Sequence, residues 1–196
     1  MKKLIVIACL ATTVSMISAP AMAESIKGRL GVTGKIGFLA PADNDTEYHN
    51  KTDIGFIGGV GLIYGLDDHI AAELDVTRTS FGSDTGDFGV TDVSLGGQYR
   101  FAVSNRQLVP YVGVGLDVLV SDYDPYNGAN RDVDTTVGAH VSGGVDYFVQ
   151  KQLALTAEAK LVAAPDTKIT DRFGDHRGDF DPSSFSTTVG VRYFFN

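Results

Sequence analysis

The chain has 196 residues, with 24 acidic against 16 basic side chains and a formal net charge of −8. That length suits one domain with a sizeable core, and the acidic balance argues against duplex nucleic acid as a partner. Cys9 is the only cysteine, so no internal disulfide framework holds the fold.

Residues 1–23 open on Lys2 and Lys3, continue through an apolar stretch and end on Ala21-Met22-Ala23, a small-x-small cleavage site. This is the layout of a secretory signal peptide, which predicts a mature domain over residues 24–196. Too few apolar residues precede Cys9 for a lipoprotein signal. The exported domain therefore carries no cysteine. It also lacks the ~18 uninterrupted apolar residues of a membrane helix. The longest candidate, FIGGVGLIYGL (residues 56–66), is short and interrupted by four glycines. If this chain enters a membrane, it does so as strands.

Eight segments alternate with a period of two, beginning near Ile26, Asp53, Ile70, Gly89, Leu108, Thr135, Leu153 and Ser184. The first presents Ile26, Gly28, Leu30, Val32, Gly34, Ile36 and Phe38 on one parity. The fifth presents Leu108, Pro110, Val112, Val114, Leu116, Val118 and Val120. The last presents Phe185, Thr187, Val189, Val191, Tyr193 and Phe195. Alternation of this length predicts strands, and no segment carries a helical stripe. The opposite parity is mixed and often charged.

A soluble sandwich would bury the apolar parity and wet the charged one. The connections point elsewhere. Short ones near residues 65–69, 103–107 and 149–152 alternate with long ones near 41–52, 82–88, 122–134 and 166–183. That pattern predicts an all-β fold: an eight-stranded antiparallel up-and-down transmembrane barrel, with short periplasmic turns and long external loops. Each segment meets the ~9–11 residues that a tilted membrane strand needs. Tyr64, Tyr99, Phe101, Tyr147, Tyr193 and Phe195 fall on the apolar parity beside the short turns. Phe38, Phe56 and Phe185 fall beside the long loops. These are the expected aromatic girdles.

PYVGVGL (residues 110–116) and DFDPSSFSTTVGVRYFF (residues 179–195) resemble strands five and eight of the OmpW family. The wider pattern is similar to OmpA-type membrane domains. The resemblance implies a monomeric barrel in the outer membrane of a Gram-negative bacterium, in contact with its lipid and lipopolysaccharide. It also implies that Tyr193 and Phe195 serve as the signal read by the barrel assembly machinery. One departure is plain: such chains usually stop on the aromatic, and this one adds Asn196.

The inward parity carries six basic residues (Lys27, Arg29, Lys35, Arg100, Lys160 and Arg192) against six acidic ones (Glu73, Asp75, Asp92, Asp117, Asp146 and Glu158). An eight-stranded interior is too narrow for bulk water, so matched charges are expected to pair. Lys27, Arg29, Glu73, Arg100, Asp146, Glu158, Lys160 and Arg192 are the expected ion-pair plug. Leu39, Ile57, Leu119 and Val162 are expected to form an apolar cup beneath the loops. The OmpW resemblance implies passive passage or binding of small hydrophobic molecules, released sideways. The alternative is a non-conducting structural or adhesion barrel acting through its acidic external loops.

An enzyme is the competing class. His140 and Ser142 resemble the His-x-Ser pair of outer-membrane lipid A deacylases, in which the histidine activates the serine. That pair faces lipid in those enzymes, whereas parity turns His140 and Ser142 inward, and Gly143 stands where the family has asparagine. Glycine runs such as GVGVG lack a P-loop lysine, and residues 122–134 lack the ligand spacing of an EF-hand. No catalytic residue, cofactor or metal is expected.

Overall fold

The computed structural model describes residues 25–41, 54–83, 86–125, 131–133, 135–165, 167–170, 176–180 and 182–195. The expected signal peptide, with Cys9, lies outside the described residues, as does Asn196. Among the described residues, eleven strands run in chain order: β1 (Leu30–Pro41), β2 (Gly55–Gly65), β3 (Ile70–Ser83), β4 (Gly86–Arg100), β5 (Leu108–Pro125), β6 (Arg131–Val133), β7 (Thr136–Gln150), β8 (Leu153–Ala163), β9 (Thr167–Thr170), β10 (His176–Phe180) and β11 (Ser184–Phe194).

Eight of these close a barrel. Antiparallel pairing runs β1–β2–β3–β4–β5–β7–β8–β11 and returns to β1. Every pair in the circuit is antiparallel, so no barrel strand offers a free edge to lipid. Register fixes facing, because a slip of one residue would exchange the two faces. The apolar parity points outward: Val60, Leu95, Val114, Leu116, Val141 and Val189 are all exposed on the barrel surface. Both aromatic rows lie on this outer face, with Phe101 half-buried against Tyr99.

Two sequence expectations are corrected. The first strand begins at Leu30, not near Ile26. Gly28 takes a left-handed conformation (φ 71°), and its N–H donates to the Gly65 carbonyl over 2.8 Å. Glycine accepts that φ without a Cβ clash. The bend it makes swings Ile26 under the barrel, where it is buried instead of facing lipid. Second, the connection near residues 82–88 is not a long loop. The β3–β4 ladder continues to the pair Ser83 and Gly86.

The periplasmic turns are held locally. The Asp67 carboxylate accepts the N–H groups of His69 and Ile70, each over 2.7 Å. Those two donors hold its carboxyl below the usual carboxylate range.

The external rim is uneven. β5 continues six residues past Leu119, roughly 20 Å of strand, and stays paired with β4 as far as Pro125 and Gly86. β6 pairs with this extension, β9 pairs with β6, and β10 pairs with β9. On the other side β8 stops at Ala163, β11 begins at Ser184 and β1 ends at Pro41.

Candidate functional site: a layered lumen

From the periplasm outward, the lumen is built in layers. Its floor is apolar: Ile26, Ile63, Ala71, Val109, Phe148, Ala154 and Phe194 form one buried cluster. The rings of Phe148 and Phe194 stack with centroids 5.7 Å apart. Six of the seven floor residues sit at the periplasmic ends of their strands on the inward parity, and Ile26 joins them from the segment before β1. Phe194 occupies that parity between the outward Tyr193 and Phe195.

The lowest charged layer rests on this floor. Arg192 donates to Glu73 Oε1 over 2.6 Å, to Asp146 Oδ2 over 2.9 Å and to Thr33 Oγ1 over 3.0 Å. Arg100 donates to the same Asp146 Oδ2 over 2.7 Å, and Gln98 donates to Glu73. Both guanidiniums lie over the Tyr111 ring, 5.7 and 5.9 Å from its centre. Gly144 makes room for that ring, since a Cβ there would stand 2.5 Å from the Tyr111 hydroxyl oxygen.

One layer up, Lys35 reaches Asp75 Oδ2 at 2.8 Å and Glu158 Oε1 at 3.4 Å, while the Tyr111 hydroxyl donates to Glu158 Oε2 over 3.1 Å. The third layer is a chain. Asp92 takes Lys160 at 2.8 Å, Lys160 also holds Asp117 at 2.7 Å, and Asp117 faces His140 Nδ1 at 2.8 Å.

Above the charges lies a cavity of about 40 Å³. Leu39 from β1, Ile57 from β2, Leu119 from β5 and Val162 from β8 all line it, so the four residues of the expected cup come together. Lys35, Asp92, Glu158 and Lys160 form its polar base. Pro41 and Pro182 stand at its rim, on the low side of the barrel.

The expected plug residues do not all meet. Glu73, Arg100, Asp146, Glu158, Lys160 and Arg192 join the network. Lys27 is exposed outside it, in an isolated bridge with Gly65. Arg29 donates to the Lys151 carbonyl over 2.8 Å and lies over the Phe194 ring, capping the floor from below. The same bend at Gly28 that displaces Ile26 removes these two residues from strand parity. His140 and Ser142 line a small interior space with Glu73, Asp75 and Gln98, away from the lipid face. Among the described residues, no group of three His, Cys, Asp or Glu side chains is placed to hold a metal ion.

A closed circuit of eight antiparallel strands, apolar outside and charged within, is the architecture of a small outer-membrane barrel. The model of the outer membrane protein beta-barrel domain matches residues 9–193. The chain belongs to that family. Its place is the outer membrane of a Gram-negative envelope, with lipid around the apolar face. No curated protein sequence matches it.

Among solved structures, the barrel is similar to OprG of Pseudomonas aeruginosa, at 17% identity and a TM-score of 0.69, covering 89% of this chain and 99% of that one. Neisserial surface protein A matches at 18% identity and a TM-score of 0.64, covering 85% and 96%. The outer membrane protein W of E. coli matches at 18% and 0.53, covering 86% and 98%. At these identities the likeness is one of fold.

For this outer-membrane barrel, inward parity does not reveal how charges are shared. Asp75, Asp92 and Asp117 are as much part of the network as the expected plug residues. Ile26 had the outward parity in the sequence, and the other floor residues carried no sequence signal beyond their parity at strand ends.

Proposed function

We propose that this barrel binds small hydrophobic molecules at its external mouth and passes them sideways into the outer leaflet, without catalysis and without an open axial pore. The observation that carries the reading is the order of the layers. An apolar-walled cavity faces outward, three tiers of paired charge lie below it, and a packed aromatic floor closes the periplasmic end. A solute entering the cup has no apolar route downward, because the paired charges would have to be broken to admit it. The low wall formed by β8, β11 and β1 is the shortest way out. Apolar contact supplies the affinity, at ~25 cal/mol for each Å² buried.

The reading is tested with Leu39→Asp and Leu119→Asp combined. The variant should still fold, because both positions lie at the external end of the lumen. It should bind the neutral dye N-phenyl-1-naphthylamine at least tenfold more weakly and slow its uptake by cells carrying the protein. A folded variant that binds and passes the dye like the parent would reduce the cup to packing. The barrel would then be read as a structural or adhesive element acting through its loops.

A further inference from the structure

We infer that the cup takes neutral amphiphiles that carry a hydroxyl: the polar head bonds to a ledge of threonine and serine hydroxyls, and the apolar body lies against Leu39, Ile57, Leu119 and Val162. This rests on the reading that the cup binds apolar solutes, and it names the head group they carry.

Strand register builds the ledge. Thr77 and Thr79 of β3 and Ser186 and Thr188 of β11 are buried, and all four line the cavity. β3 and β11 flank the β1–β2 pair that carries Leu39 and Ile57. Thr79 stands directly beside Ile57, and Ser186 directly beside Leu39. Each apolar side chain on this wall therefore has a hydroxyl as its cross-strand neighbour.

These hydroxyls are uncommitted. Among the described residues, none of the four takes part in a side-chain hydrogen bond. None is sealed away either: the polar side-chain atoms that are both buried and unpartnered there are Arg29 Nε, Asp75 Oδ1 and Asp92 Oδ1. The four oxygens thus open onto the cavity. A hydroxyl has one donor and two acceptor sites, so each can bond an alcohol head in either sense. A few convergent polar groups in an apolar wall are what fixes the orientation of a small ligand.

The charged base is neutral in sum. Lys35 and Lys160 stand there against Asp92 and Glu158, with Lys35 at 3.4 Å from Glu158 and Lys160 at 2.8 Å from Asp92. An ammonium or carboxylate head entering the cup would lose its water without finding an unpaired opposite charge. A neutral hydroxyl head loses less and recovers its hydrogen bonds on the ledge. A cavity of about 40 Å³ holds roughly three waters, at 10–15 Å³ each, which is the space of a small polar head.

The test uses the refolded mature protein in vesicles of phosphatidylcholine, with bound N-phenyl-1-naphthylamine as reporter. The displacing agents are 1-hexanol and 1-chloropentane, which has a similar length and no hydroxyl, with constants corrected for the dye's own affinity. Thr79→Val combined with Ser186→Ala removes two hydroxyls at little change of shape. It should raise the 1-hexanol concentration needed by about tenfold, for two hydrogen bonds lost, and leave 1-chloropentane within about twofold. Each single variant should shift 1-hexanol by about threefold. Hexylammonium and hexanoate, corrected for their partition into protein-free vesicles, should both need at least about tenfold more than 1-hexanol in the parent.

A folded double variant, recognised by its heat-modifiable migration on gels, that needs no more 1-hexanol than the parent would overturn the inference. So would an equal loss for 1-hexanol and 1-chloropentane, or an ion that displaces the dye as well as 1-hexanol does. The single variants decide the question if the double one does not fold. If the parent does not bind the dye at all, the hydrophobic-cup reading itself fails, and this inference with it.

Discussion

Asp146 shows what a single side chain does here. It is fully buried and shared by two guanidiniums, at 2.7 Å from Arg100 and 2.9 Å from Arg192. Removing its charge leaves two cations facing each other above an apolar floor. Asp146→Asn should therefore destabilise the barrel by about 3–5 kcal/mol, the range for breaking a buried pair from one side. Urea unfolding in lipid vesicles measures this. A change under about 1 kcal/mol would mean that water or another carboxylate already satisfies the arginines. Parity alone placed Asp146 in the lumen, yet it could not tell that this carboxylate, among six, bridges both arginines. That depends on β4, β7 and β11 meeting across the barrel, not on any spacing along one strand.

At the scale of the element, each strand presents two environments to its own neighbours. Val114 and Leu116 are each 63% exposed on the outer face of β5, while Gly113 between β4 and β7 is buried. Leu116→Lys places a charge in the hydrocarbon layer and should cost about 2–4 kcal/mol. Oxygen accessibility of spin labels at 114 and 116, compared with 113 and 115, checks the facing directly, and equal accessibility would sink the register.

The last strand makes a second test. Tyr193 and Phe195 face outward and contact each other edge-on at 5.3 Å. We propose that this pair is what the assembly machinery reads. Deleting residues 195–196 together should sharply reduce outer-membrane insertion in cells, whereas deleting Asn196 alone should leave it unchanged. Insertion of both truncations at the parental level would show that the signal lies elsewhere.

For the whole molecule, the layers act in series. Among the described residues, the floor packs shut, the paired charges fill the waist, and the apolar-walled cavity lies above them. Purified barrel in a planar bilayer should accordingly show almost no steady ion conductance. Stepwise conductance of the size expected for a hydrated pore would mean that the charge layers rearrange to admit water. The uneven rim also belongs to this scale. Its tall side is assembled from β5, β6, β9 and β10, segments far apart in sequence.

The sequence by itself determined the barrel. Period-two alternation, strand length and the order of short and long connections leave one architecture, because each is local and repeats eight times. Parity and height above the turns also grouped Leu39, Ile57, Leu119 and Val162, which line one cavity in the structure. What only the tertiary structure decided is the closing of the lower end and the balance of charge. Both turn on Gly28, whose left-handed bend carries Ile26 inward and leaves Lys27 and Arg29 outside the lumen network. Parity counting assumes a strand that continues, and a single backbone reversal at its first residues breaks that assumption without disturbing the apolar pattern. The remaining charges pair across the lumen, between strands whose angular positions are set only when the circuit closes.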